Sequence, residues 1–186
     1  MTTSFDGIKW FPRARIEKFG QGEVDFVRSL TGIADPDGDT LRRYVDPYEV
    51  IEVEGNLLTT VGLNRLTNLL IGAGAQALTA TAIRLGVGDD TTAAAVTDSD
   101  LSTTTNQYYR VMDATYPLQA NDVVTVKSTY STGDANFAWN CWGIDVGTPT
   151  VASSGTVSAL LFNRKVASLG TKVSGTWTLT TTITFS

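Results

Sequence analysis

The chain has 186 residues, 42% of them hydrophobic, and a formal net charge of −5. This length supports one sizeable core but not two full domains. The negative charge disfavours a nucleic-acid partner, which calls for clustered lysine and arginine, and no apolar run approaches the roughly 20 residues of a membrane span.

The single cysteine, Cys141, excludes an internal disulfide and fits a chain made in a reducing cytoplasm. The first residues, "MTTSFDGIKWFPRAR", lack the basic start and apolar stretch of an export signal. We therefore expect a protein without a membrane partner or an export signal.

Charge is unevenly distributed along the chain. Residues 1–55 hold seven Lys/Arg and eleven Asp/Glu, or 18 of the 33 charged residues, while residues 56–186 contain no glutamate. Glycine, proline and the turn signal "DPDGD" recur every few residues before Gly55 and leave no room for a long helix or a regular sheet. We therefore predict an irregular segment over residues 1–55 and a separate domain over residues 56–186.

Large apolar residues are more frequent in this first segment than a disordered tail would retain. They are Phe5, Ile8, Trp10, Phe11, Ile16, Phe19, Val24, Phe26, Val27 and Leu30. Ordering such a stretch costs about 1–2 kcal/mol per residue, so it must bury surface on its own domain or on a neighbour. We favour an extended arm that folds onto a partner, because spaced aromatic residues supply burial and neighbouring charges set the register. The expected partner-binding residues are Trp10, Phe11, Arg13, Arg15, Phe19 and Phe26.

One short helix is predicted after Gly55, in "NLLTTVGLNRLTNLLIGAG". Thr59 or Thr60 can cap its first turn, and Gly72 or Gly74 can end its last turn. The helical spacing of its leucines predicts one core-facing stripe. That stripe is Leu63, Leu66 and Leu70.

The remainder reads as short strands separated by turns. The strand candidates are "ATAIRLGVGDD", "YYRVMDATYP", "DVVTVKSTYS", "NFAWNCWGIDV" and "SALLFNRKVAS", followed by the closing "GTWTLTTTITFS". Strands at roughly ten-residue spacing with one helix predict a mainly-β fold, an antiparallel, jelly-roll-like β-sandwich. In the predicted fold this sandwich has one short helix and an extended N-terminal arm.

The closing strand alternates large apolar residues with threonine. Its apolar residues are Trp177, Leu179, Ile183 and Phe185, and the residues of the other face are Thr176, Thr178, Thr180, Thr182 and Thr184. Successive side chains of a strand point to opposite faces, so the apolar side is core. The threonine side is expected to be solvated, with an inter-subunit surface as the alternative.

No catalytic, cofactor or metal site is predicted. The chain has no histidine, which removes the commonest general base and nitrogen ligand. Cys141, between two tryptophans in a predicted strand, reads as buried packing. Four aspartates, Asp89, Asp90, Asp98 and Asp100, could meet across a loop and bind Ca²⁺, but their spacing matches no EF-hand, so we interpret them and "DPDGD" as turns. Arg164 and Lys165 must point to opposite faces of their strand, with one of them buried against an aspartate.

Five pieces in one order resemble small virion structural proteins of tailed bacteriophages. They are "RLGVGDDTTAAAVTDSDL", "YRVMDATYP", "DANFAWNCWGID", "LLFNRKVASLGTK" and "SGTWTLTTTITFS". The resemblance covers about residues 56–186. The resemblance implies a non-enzymatic β-sandwich that decorates or cements the capsid shell, or else forms part of a tail fibre or tail tip. Relatives in that group often have an acid between "WN" and "WG", where this chain has Cys141.

We therefore expect a capsid decoration or cement protein that is made in the host cytoplasm and resides in the virion. Its N-terminal arm is expected to bind the major capsid protein, and its sandwich to form a homo-oligomer, with a trimer as one option. The first alternative is a tail-fibre or baseplate component that contacts a receptor. The second is a carbohydrate-binding or glycan-hydrolysing sandwich, which needs paired acids near Trp139 or Trp142; only Asp134 and Asp145 lie nearby in sequence.

Overall fold

The computed structural model describes residues 10–73, 77–101, 106–146, 155 and 160–186. Regular structure in these residues comprises the following strands and helices, in chain order. They are β1 (Trp10–Phe19), α1 (Gln21–Thr31), α2 (Gly38–Arg42), β2 (Glu49–Glu54), β3 (Leu57–Leu58), α3 (Thr60–Leu70), β4 (Arg84–Gly88), β5 (Gln107–Val111), β6 (Leu118–Ala120), β7 (Val123–Tyr130), β8 (Ala138–Asp145), β9 (Leu161–Thr171) and β10 (Thr176–Phe185).

Two antiparallel five-stranded sheets enclose the main core. The first sheet has the strand order β2-β1-β10-β7-β6, and the second has the order β3-β9-β8-β4-β5. The largest side chains of the core, Trp139, Trp142 and Tyr130, are fully buried between the sheets. The prediction of a mainly-β, antiparallel sandwich is confirmed.

Residues 10–54 do not form the predicted extended arm: β1 and β2 belong to the first sheet, and α1 and α2 pack on it. β1 pairs with β10 along its whole length, from Trp10 opposite Phe185 to Phe19 opposite Thr176, and its other side pairs with β2. Ala14 and Ile16 are buried in the core. The physical reason is that the inward residues of β1 cover apolar surface that β10 alone would leave exposed. Residues 1–9 of the predicted arm lie outside the described residues.

The contact of Pro12 with Gly55 explains why β1 can form a strand although its sequence contains a proline. The Gly55 amide donates to the Pro12 carbonyl at 2.9 Å, so the missing N–H of Pro12 faces the residue directly after β2. A proline is tolerated where the ladder ends, because it removes no strand hydrogen bond there. Gly55 adopts φ 71° at the turn that carries the chain from the first sheet to the second. The predicted boundary near Gly55 therefore falls on a crossing between sheets.

α1 and α2 were not predicted, and they cover part of the threonine side of β10. A small second core of Phe19, Val24, Val27 and Leu41 holds them on the first sheet. The Gly38 amide donates to the Thr129 hydroxyl at 2.9 Å, and Gly38 lies directly on Thr178. Thr176 and Thr178 are consequently buried by their own chain, while Thr180, Thr182 and Thr184 remain partly exposed.

α3 is the predicted helix, and its N-cap prediction is confirmed. The Thr59 hydroxyl accepts from the Gly62 amide at 3.0 Å. The predicted leucine stripe is wrong at two positions, since Leu66 packs on the core but Leu63 and Leu70 are exposed. Gly62 lies against the Phe162 backbone, where a β-carbon would stand 2.1 Å from the carbonyl oxygen. This close approach fixes the rotation of the helix; the alternative helix end at Gly74 lies outside the described residues.

We expect Ile16→Ala to lower the free energy of unfolding by about 2–5 kcal/mol, because Ile16 is fully buried and the substitution leaves a cavity. Urea unfolding of the isolated protein measures the change. Arg13→Ala on the same strand is the control and should cost less than about 1 kcal/mol, since the Arg13 ion pair is exposed. Equal, near-zero effects would show that β1 does not stabilise the isolated chain.

Candidate functional site

The structure separates the six predicted partner-binding residues into two groups. Phe19 is fully buried and Trp10 packs on the core while staying partly exposed, whereas the other four lie on the surface. Those four are Phe11, Arg13 and Arg15, on the outward side of β1, and Phe26, on α1.

Trp10 and Phe19, both predicted to bind a partner, make aromatic contacts within their own chain. The Trp10 indole lies 5.4 Å from the Phe162 ring and 5.6 Å from the Phe185 ring, and its Nε1 donates to Asn56 Oδ1 at 3.0 Å. Phe19 is fully buried in the second core. Phe19 is therefore closed to a partner, whereas Trp10 is only partly buried and its remaining surface lines the groove described below.

The outward side of β1 forms a row of ion pairs with β2. Arg13 contacts Glu54 at 3.0 Å, and Arg15 contacts Glu52 at 2.7 Å. Phe11 continues this side of the strand and is 51% exposed. Sequence reasoning missed both glutamates, although the alternation in "EVIEVE" is a strand signal that could have revealed them.

A shallow groove crosses this outer face of the first sheet. Its lining combines two aromatic rings, an ion pair and two hydroxyls, contributed by Trp10, Phe11, Arg13, Glu54, Thr182 and Thr184 among others. Each threonine here stands beside a β1 residue, with Thr182 opposite Arg13 and Thr184 opposite Phe11. The exposed part of the threonine face is therefore a mixed polar and aromatic surface.

α1 exposes a second apolar surface besides the one that it buries. Val24 and Val27 face the small core, while Phe26, Leu30 and Ile33 are 50%, 56% and 44% exposed. Phe26 and Leu30 are one turn apart, so they share one side of the helix. Ile33 follows the C-cap residue Gly32. We call Phe26, Leu30 and Ile33 the α1 outer face.

The four loop aspartates bind protein groups. Arg164 is buried and contacts Asp98 at 2.7 Å and Asp90 at 2.8 Å, which confirms the prediction that one residue of the Arg164–Lys165 pair meets an aspartate. Asp89 accepts from the Asn106 side chain, and Asp100 accepts from the Tyr109 hydroxyl. In the part of the chain that the structure describes, no cluster of three or more His, Cys, Asp or Glu side chains is placed to hold a metal ion.

Asp90 and the predicted "DPDGD" turn show the expected local geometry. Asp90 Oδ1 accepts from the Thr92 amide at 2.9 Å, as in an Asx-turn. Burial disfavours the charged Asp90, but the hydrogen bonds from Thr92 and the Arg164 charge outweigh it and lower the pKa of Asp90. Asp37 caps α2 by accepting from the Thr40 amide at 2.8 Å, and Asp39 accepts from Lys127 at 2.7 Å.

The acids of the glycan alternative do not form a groove with tryptophan. Trp139 and Trp142 are fully buried, and so is Asp145, whose Oδ2 accepts from Arg84 Nε at 2.6 Å. Asp134 accepts from the Tyr108 hydroxyl at 2.6 Å and contacts Arg110. Burial raises the pKa of Asp134, but these contacts and the Ser131 hydrogen bonds lower it overall. Each carboxyl group is therefore engaged with an arginine of its own chain.

Lys172 is a fully buried lysine in the loop after β9. Its Nζ donates to the carbonyl oxygens of Ser131 and Asp134, each at 2.9 Å, and to Asn136 Oδ1 at 2.8 Å. Burial lowers the pKa of Lys172 to about 8, although the Asp134 charge opposes this effect. The amine therefore holds the β7–β8 turn in place from inside the protein.

Comparisons of the chain with protein-family models, with curated proteins and with solved structures each find no match. Among the described helices, none has the length and apolar character needed to cross a bilayer.

We expect Cys141 to resist maleimide in the native protein and to react once the chain is unfolded. The thiol is fully buried, and burial raises its pKa to about 11, so it presents little thiolate at neutral pH. Mass spectrometry with and without denaturant measures the labelling. Rapid labelling of the folded protein would contradict the buried position.

Lys172 should make stability increase with pH above pH 8. The unfolded lysine titrates near 10.5 and the folded one near 8, so the unfolded chain binds more protons between these values. The contribution rises by at most about 1.4 kcal/mol per pH unit. Urea unfolding at about pH 7 and about pH 9.5 should show this rise in the wild type and in the control Lys165→Met, but not in Lys172→Met. Parallel slopes in all three proteins would contradict it.

Proposed function

We propose that this chain is a structural protein of a tailed-phage virion that decorates or cements the capsid by binding the major capsid protein. The proposal is supported by the resemblance of residues 56–186 to such proteins and by a sandwich in which Trp139 and Trp142 of the aromatic strand are fully buried. The observation that carries it is the α1 outer face, because an apolar helix surface beside a sealed core is typical of a protein-protein contact.

The contact that we propose is the α1 outer face rather than an N-terminal arm. Residues 10–54 are built into the sandwich, so they cannot extend to reach a partner. Phe26 and Leu30 supply apolar surface, and the neighbouring Arg28 pairs with Asp25 and Asp35 at 3.1 and 3.2 Å. An apolar centre with a charged border is the usual composition of an interface.

Many copies on one shell would make a modest contact effective. Repeated contacts multiply affinity when copies are held at the spacing of the lattice. Each copy then needs a stable fold and one binding surface, and this role requires no active site. The predicted homo-oligomer, with a trimer as one option, would add to the same avidity.

We expect Phe26→Gln and Leu30→Gln each to weaken binding to purified capsid shells assembled without this protein by about tenfold or more. Co-sedimentation with the shells measures the binding. The apolar surface is lost from the contact, while glutamine keeps the helix, so stability should change by less than about 0.5 kcal/mol.

Leu70→Gln is the matched control, because it makes the same substitution at a leucine that is 84% exposed on α3, a different helix that packs on β9 of the second sheet. Its binding should equal that of the wild type. Wild-type protein that fails to bind shells, or that labels the tail in electron micrographs of intact particles, would overturn the capsid proposal.

A further inference from the structure

The two sheets have four edge strands, and they differ in how far each edge is protected. β3 has two residues and β6 has three. β5 is met by another segment, since Tyr109 and Gly155 exchange backbone hydrogen bonds of 2.8 and 2.9 Å. β2 has six residues and, among the described residues, no strand on its outer side. Exposed edges of this length are sites where another strand can pair.

The register of β2 shows which backbone groups face this open edge. Gly55 donates to Pro12 at the position that follows Arg13–Glu54 in the register, so this position is hydrogen-bonded. Pairs alternate along an antiparallel ladder, so Arg13–Glu54 and Arg15–Glu52 are non-hydrogen-bonded pairs. The N–H and C=O groups of Glu52 and Glu54 therefore point away from β1, as do those of Val50 by the same alternation.

The two faces of β2 carry different kinds of side chain. On the outward face, Glu52 and Glu54 have side chains that are 68% and 76% exposed. On the inward face, Ile51 and Val53 remain only partly buried although they pack on the main core. A strand added here would meet carboxylates on one face and apolar groups on the other.

We propose that the open edge of β2 accepts an extended strand of a partner protein, with lysine or arginine at alternate positions and apolar residues between them. β1 provides the template on the opposite side, where Arg13 and Arg15 meet Glu54 and Glu52 while Ala14 and Ile16 face the core. Opposite charges across a strand pair stabilise the pairing. Main-chain hydrogen bonds supply affinity, and the alternating side chains supply specificity.

A second copy of this chain fits the same edge poorly. Antiparallel pairing of β2 with β2 brings outward residues opposite outward residues, so that Glu52 meets Glu52 and Val50 meets Glu54 when the pair is centred on Glu52. Like charges directly opposite each other destabilise a strand pair. The acidic edge therefore selects a basic strand and discourages self-association.

The test uses a short capped peptide that alternates arginine and valine over the length of β2. Titration of the isotopically labelled full chain, followed by amide chemical shifts, should move the Val50, Glu52 and Glu54 signals. Two further peptides serve as comparison probes. The first alternates glutamate and valine, and the second alternates arginine and valine but is N-methylated along one backbone edge. Both should bind about tenfold or more weakly, since one reverses the charge complement and the other removes the main-chain hydrogen bonds.

Two variants separate charge from backbone pairing. E52Q combined with E54Q should weaken the arginine–valine peptide about tenfold and reduce its salt dependence. Glu52→Pro should abolish binding, because it removes an edge-facing N–H while Ile51 and Val53 keep their bonds to β1. Asp46→Asn is the control, since its partner Arg42 and its 97% exposed side chain lie outside the edge.

Unchanged peptide binding by Glu52→Pro, with its fold shown intact by amide protection along β1, would overturn the proposal. Equal binding of the acidic and basic peptides, shifts located away from β2, or a β2–β2 dimer in sedimentation would also overturn it. No phage component enters this assay. Its outcome is therefore distinct from that of the shell-binding test, which depends on the α1 outer face.

Discussion

The antiparallel pairing of β1 with β10 is the interaction on which the rest of the first sheet depends. It joins a strand near the start of the chain to its last strand, over the register from Trp10–Phe185 to Phe19–Thr176. Among the described strands, β2 pairs with β1 alone, and α1 and α2 are held on the sheet through Phe19. Both proposed surfaces, the α1 outer face and the β2 edge, therefore depend on the place of β1 between β2 and β10.

Buried charged residues fix loops and strands of the sandwich in place. Arg164 ties the aspartate loop to β9, Arg84 pairs with Asp145 beneath the surface, and Lys172 binds the β7–β8 turn. Removing one member of such a pair leaves an uncompensated charge out of water, which makes these contacts costly to lose. The same pairing engages acids that a sequence alone would leave available for metal or substrate.

The proposed function follows from where apolar and charged surface remains. Trp139, Trp142 and Cys141 are fully buried, so the aromatic strand that could suggest a glycan cleft is core. Apolar surface on α1 and carboxylates on the β2 edge remain outside. The two proposed contacts use different elements, α1 for one and the β2 edge for the other.

The sequence alone was sufficient for elements whose signal is local. The alternation of β10, the strand character of β4 and β7–β9, the Thr59 cap of α3 and the burial of Cys141 all follow from residue spacing and type. Tertiary structure decided the elements whose stability comes from distant partners. β1 carries Pro12 and charged residues at alternate positions, so its strand character appears only beside β10 and β2. Likewise, the contact of Gly62 with the distant Phe162 backbone, and not the leucine spacing, selected which face of α3 is buried. A local sequence pattern indicates which face of a segment can be buried. The surface that buries this face comes from distant residues of the assembled sheets.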